Sequence, residues 1–146
     1  MVKLVGHVEA TLIDARTGQI KRTVKGRNLL VTNGATELAK IITSATSGTR
    51  PTHMGIGTST TAPAAAQTAL QSTATILALG STSRSANAIT YSCTFGTGKG
   101  TGTIQEAGLF NAAAAGTMFA RWLTGAFVKG STDSLTVRWT LTFGTM

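Results

Sequence analysis

Between Leu135 and Phe143 the chain alternates without a break, with Leu135, Val137, Trp139, Leu141 and Phe143 at every second position and Thr136, Arg138, Thr140 and Thr142 between them. Successive side chains of a strand leave opposite faces of the sheet, so a period of two predicts a strand with one oily face and one wet face and excludes a helix. Such a strand needs a sheet that is packed on one side. Burying the oily face contributes on the order of 10 kcal/mol before chain entropy is subtracted, at about 1.5 to 3 kcal/mol per large side chain. The same pattern runs through Lys3 to Asp14, where Leu4, Gly6, Val8, Ala10 and Leu12 share a side, and through Ala88 to Phe95, where Ile89, Tyr91, Cys93 and Phe95 do.

Around these three strands the remaining elements can be placed. Ala15-Arg16-Thr17-Gly18 supplies a turn in which Gly18 takes positive φ, and Gln19 to Lys25 returns as the second strand of a hairpin. Leu29 to Thr32 extends that strand or begins another. Asn33 is placed to cap a helix over Ala35 to Ser44, with Leu38, Ile41 and Ile42 at helical spacing. After a loop over 44–51, His53 to Gly57 reads as a short buried strand in which Gly55 and Gly57 signal close approach by a neighbour. Thr58 to Ala65 reads as loop, Ala64 to Gln71 as a brief helix, Thr75 to Leu79 as a strand and Gly80 to Asn87 as polar loop. Four glycines between Gly96 and Gly102 predict a flexible hairpin connection. Thr101 to Phe110 and Thr117 to Thr124 form a hairpin around Asn111 to Gly116.

Roughly seven to nine strands with one short α-helix predict a mainly β fold, a compact antiparallel β-sandwich, with a closed barrel as the less favoured arrangement. With 146 residues the chain is read as a single domain over 1–146, able to bury about two-thirds of its unfolded surface. The lone Cys93 leaves no intrachain disulfide, and its place on an apolar face predicts a packing thiol. No heptad or triple-helical repeat is present, so the chain does not by itself predict a fibre shaft. The sequence has no apolar run of the roughly 18 residues that span a bilayer, and neither a membrane protein nor a secreted precursor is expected.

Thirteen Lys and Arg against five Asp and Glu give a formal charge of +8, which favours acidic partners. Between Arg16 and Arg27 stand Arg16, Lys21, Arg22, Lys25 and Arg27 with no acidic residue among them. The plain reading is a set of solvated cations guarding a strand edge. A protein interface with an acidic surface comes next, and nucleic acid last. Nucleic-acid binding is the more distant alternative because the aromatics Tyr91, Phe95, Trp139 and Phe143 share faces with aliphatic residues and leave no stacking platform. On the interface reading, Lys21→Glu with Arg22→Glu is expected to leave the fold intact and to impair assembly.

Enzyme chemistry has little to work with. Glu9, Asp14, Glu37, Glu106 and Asp133 are scattered, with Asp14 and Asp133 read as turn residues. His7 and His53 fit no zinc spacing. Thr97-Gly98-Lys99-Gly100-Thr101-Gly102 lacks the phosphate-loop spacing and a following helix. No catalytic, cofactor-binding or metal-ligating residue is assigned, no cofactor is expected, and the chain is read as a non-enzyme.

Several segments resemble a family of tailed-bacteriophage virion structural domains. Glu106-Ala107-Gly108-Leu109-Phe110 and Gly116-Thr117-Met118-Phe119-Ala120-Arg121 are similar to its TEAGLF and GTMLAR strands. Thr52-His53-Met54-Gly55-Ile56-Gly57-Thr58 with Thr60-Thr61-Ala62-Pro63-Ala64 is similar to its THIAVGTGTTAPA stretch, Gly26-Arg27-Asn28-Leu29-Leu30-Val31-Thr32-Asn33-Gly34 to an NLVTNAG element, and the resemblance extends to the closing strand Leu135-Thr136-Val137-Arg138-Trp139-Thr140-Leu141. Related sequences occur as stand-alone virion proteins and at the N-terminal ends of tail fibres. The resemblance implies a structural subunit of the virion, assembled in the host cytoplasm, that contacts other virion proteins and forms a homo-oligomer, a trimer or dimer. A tail-tip, baseplate or fibre-attachment component is the first reading, and a capsid decoration (cement) protein on the head is the alternative.

Overall fold

The computed structural model describes residues 2–43 and 48–145, and its ten strands form two five-stranded sheets around a shared core. The first sheet is centred on β1 (Val2–Asp14) and β10 (Asp133–Thr145), which pair antiparallel from Val2 opposite Thr145 to Asp14 opposite Asp133. β2 (Ile20–Arg27) lies outside β1, while β7 (Ala88–Phe95) and then β6 (Ser81–Ser85) lie outside β10. The alternation fixes the register. Val8, Trp139 and Tyr91 make one row across three strands, Ala10, Val137 and Cys93 the next, and Leu12, Leu135 and Phe95 a third, all buried. A slip of one residue would turn a strand's whole apolar set to water. The outward rows carry hydroxyls, with Thr94 and Thr136 2.9 Å apart and Thr90 and Thr140 3.1 Å apart.

The second sheet runs in the order β3 (Leu29–Leu30), β9 (Met118–Lys129), β8 (Gly102–Phe110), β4 (His53–Gly57), β5 (Thr73–Ala78). Met54, Ile56, Ala107, Leu109 and Trp122 from this sheet join Val8, Phe95 and Trp139 in one core. The chain changes sheet between β2 and β3, β5 and β6, β7 and β8, and β9 and β10. The fold is the antiparallel β-sandwich that the alternation predicts.

Four local expectations are corrected. Ser81–Ser85 is a strand rather than loop; its five residues are all exposed, so no apolar period marks it. The glycine-rich segment 96–101 joins the two sheets instead of closing a hairpin. It is pinned there by Gly98 N–H donating to Ser131 O at 3.0 Å and by Lys129 Nζ donating to Gly96 O at 2.8 Å. Gly98 and Gly100 take φ of 73° and 65°, where a side chain would be strained. Ala64 to Gln71 forms only a turn at 65–66, not a helix, because its polar groups are spent on loop contacts. Gln67 alone accepts from Ala64 N–H and donates to Ala62 O, each at 3.0 Å.

The helix α1 (Thr32–Ile42) is the fourth case. Its cap position is Val31, with no side-chain cap, and Asn33 lies inside the first turn. Tertiary contacts replace the cap: Val31 N–H donates to Phe119 O at 3.0 Å and Thr32 N–H to Ala65 O at 2.8 Å. Gly34 is required because a Cβ there would collide with the Phe119 backbone. Leu38 and Ile41 pack on the core as their spacing predicts, whereas Ile42 is 73% exposed. Ser44 and the rest of the first half of the 44–51 loop, through residue 47, lie outside the described residues.

The two outward faces differ. That of the second sheet is covered by the 58–72 segment and carries its own small core of Val31, Leu70, Phe110 and Met118 with Ile76. Gly55 pairs with Gly108 across β4 and β8, and the missing side chains leave a trough. A Cβ at Gly55 would stand 3.1 Å from both Leu70 and the Phe110 ring, and one at Gly108 3.0 Å and 2.9 Å from them. The close approach expected at Gly55 and Gly57 is met by these side chains and, at Gly57, by Ser72 O and Glu106 Oε1.

Candidate interaction surface

The hairpin of β1 and β2 places the five cations of the 16–27 run at one edge of the first sheet. Asp14 builds its turn by accepting from Gly18 N–H at its carbonyl, 2.8 Å, and from Arg16 N–H at its carboxylate, 2.9 Å; Gly18 has φ +74°. The Arg16 guanidinium folds back to 3.4 Å, and its hydrogen bond holds the Asp14 carboxyl below its usual range. Lys21 Nζ lies 2.9 Å from Asp133, a buried carboxylate that also accepts from Gly130 N–H at 2.8 Å. Lys21 first, then the Gly130 N–H, lowers the Asp133 pKa. Asp14 and Asp133 are thus the turn residues they were read to be. Lys25 Nζ stands 3.4 Å from Glu9.

Arg22 reaches across the sandwich. Its guanidinium donates to Ala126 O on β9 and lies 5.1 Å from the Phe127 ring centroid. Beside it the Trp122 indole occupies the space that a side chain at Gly26 would take. Together they seal the flank between β2 and β9. Arg27, opposite His7, has no carboxylate partner among the described residues.

The run that contains no acid in sequence is therefore supplied with acids in space. Lys21 and Arg22 each hold a second element, so their replacement by Glu would set a new carboxylate against buried Asp133 and remove the bond to Ala126, and a loss of stability is expected where the sequence alone pointed to none. Across the described residues every carboxylate side chain has one cation: Glu9 with Lys25, Asp14 with Arg16, Glu37 with Lys40, Glu106 with Arg121, and Asp133 with Lys21. The net +8 then belongs to Lys3, Arg22, Arg27, Arg50, Arg84, Lys99, Lys129 and Arg138. Lys129 is buried, and burial lowers its pKa.

Sequence reasoning missed the most tightly held polar group. Glu106 and Arg121 face each other from β8 and β9 with both side chains fully buried, and Arg121 Nε and Nη2 stand 2.9 Å and 2.8 Å from Glu106 Oε2. Their remaining valences hold the 58–72 segment. Glu106 accepts from Ser72 N–H at 2.7 Å and Gln71 N–H at 3.0 Å, and Arg121 Nη1 donates to Thr61 O at 2.6 Å. The available signal was two charges inside otherwise apolar strands, which burial makes costly unless paired.

The other polar candidates are structural. His53 Nδ1 lies 2.8 Å from the Thr52 hydroxyl. Cys93 is buried, and loss of solvent pushes its thiol up to about 11, out of the thiolate range at neutral pH. Among the described residues no three His, Cys, Asp or Glu side chains gather as metal ligands, and no helix is long and apolar enough to cross a membrane. No protein-family model, curated protein or solved structure matches the chain.

Proposed function

We propose that the chain is a non-enzymatic structural subunit of a tailed-phage virion, most simply a tail-tip, baseplate or fibre-attachment component, that assembles with other virion proteins and with copies of itself. One observation carries the reading. The five segments with a family resemblance are spread along the sequence and pack together in the fold. Val31 bonds to Phe119, Arg121 bonds to Thr61, and Gly55 pairs with Gly108. The resembling residues thus pack as one unit, the second sheet with its covering loop together with β10 of the first sheet, joined through the shared core. The first sheet leaves its outer face open. Its β6, like β5 of the other sheet, ends a sheet with an unpaired edge, a surface that suits strand-edge or side-chain contacts between subunits.

The capsid-decoration reading is favoured by a different observation, the exposed cations without carboxylates, all of that set but buried Lys129, which suit an acidic shell. Labelled protein located by electron microscopy on purified particles tests both. Label at the tail end supports the first reading, and label over the head the second. Absence from every particle overturns both.

A further inference from the structure

Arg27 lies opposite His7 near the base of the basic hairpin, and two residues along, Lys25, Glu9 and Arg138 stand side by side on β2, β1 and β10. With Thr140 they line a groove of about 480 Å³ on the bare face of the first sheet, a size within the usual range for ligand clefts. Three cations meet one carboxylate there. Lys25 is engaged with Glu9, so the surplus charge sits on Arg27 and Arg138. Both are exposed, and neither has a carboxylate partner among the described residues.

We infer that this groove binds an extended acidic segment of a partner protein, with Asp or Glu side chains set against Arg27 and Arg138. A guanidinium presents two parallel N–H donors that match a carboxylate, and the sheet beneath holds the two forks at fixed strand spacings. The lining also distinguishes peptide from nucleic acid. Glu9 stands between the cations, where it can accept a peptide N–H, a donor that a phosphodiester backbone lacks, and Thr140 can donate or accept. No Phe, Tyr or Trp lines the groove to stack a base. The inference depends on the virion reading only for the identity of the protein that carries the segment.

The test titrates the purified full chain at low salt, by calorimetry, with an oligoglutamate peptide, an oligoglutamine peptide and a single-stranded oligodeoxynucleotide. Oligoglutamate binds and oligoglutamine does not. Arg27→Ala with Arg138→Ala weakens oligoglutamate by about tenfold, whereas Arg84→Ala with Lys99→Ala, which removes the same charge elsewhere, changes it by less than about twofold. Arg27→Gln with Arg138→Gln repeats the first pair with longer polar side chains, and circular dichroism checks that each variant is folded. Equal weakening by the two pairs would reduce the effect to net charge and overturn the inference. So would absence of oligoglutamate binding, or tighter binding of the oligodeoxynucleotide that is lost in the Arg27 and Arg138 variant. Failure here leaves particle localisation standing, and absence from particles leaves the peptide result standing.

Discussion

The two sheets reach stability by different means. The first is regular: long strands, unbroken register between β1 and β10, an apolar face inward and hydroxyls outward. The second is interrupted by glycines and bulges, covered on its outer face by a loop, and held by a buried ion pair. A sheet that packs on one side can leave its other side open to partners, whereas one that packs on both must solve each contact individually. On the proposed reading, the second sheet serves as a fixed frame and the first presents the surface.

The largest expected effect falls on the core that both sheets share. Trp139→Asp places an unpaired charge at a position with no solvent exposure, and the variant should show no cooperative thermal transition by circular dichroism. Retention of a native-like melt would mean that the core rearranges more freely than its rows suggest. Next is Glu106→Ala, which leaves the Arg121 guanidinium buried without its carboxylate and frees Ser72 and Gln71 N–H. A cost of about 3–5 kcal/mol in urea unfolding is expected, together with faster limited proteolysis within 58–72. Stability within about 1 kcal/mol of the parent would show that the frame does not depend on the pair.

Lys21→Glu with Arg22→Glu should have a smaller effect, lowering the Tm as the Asp133 pairing and the strap to Ala126 are lost. An unchanged Tm would return the hairpin to the solvated-edge reading. The smallest effect is on the acid limb. Asp14 and Asp133 have folded pKa values below the ordinary 3.8, so the stability they supply is present above that value and lost as pH falls through the folded pKa. Asp133→Asn should therefore lower the Tm at neutral pH and flatten its decline below about pH 4, read from thermal melts across an acid series. A parallel decline in parent and variant would remove Asp133 from the account.

Much of the first sheet was legible because alternation is a repeated signal. Three strands, the β1–β2 turn at Gly18 and the buried state of Cys93 follow from period and turn chemistry alone. Ser81–Ser85 escaped because a strand exposed on every residue has no period to read. The helix start escaped because a neighbouring strand, through Gly34 and Phe119, performs the task that local capping rules assign to a side chain. For the candidate surface, the five cations of the hairpin were visible, but the neutralisation of three of them by Glu9, Asp14 and Asp133 was not, since those partners come from β1 and β10. Arg138 looked like one polar residue in an alternating strand until register placed it beside Glu9.

The pairing of β1 with β10 also constrains how the molecule comes into being. The first strand of the sandwich finds its long central neighbour only in the last, so the first sheet has no middle until β10 has left the ribosome. Contacts this distant along the chain make folding slow. Until they form, the oily side of the early hairpin is open to water and to other nascent chains.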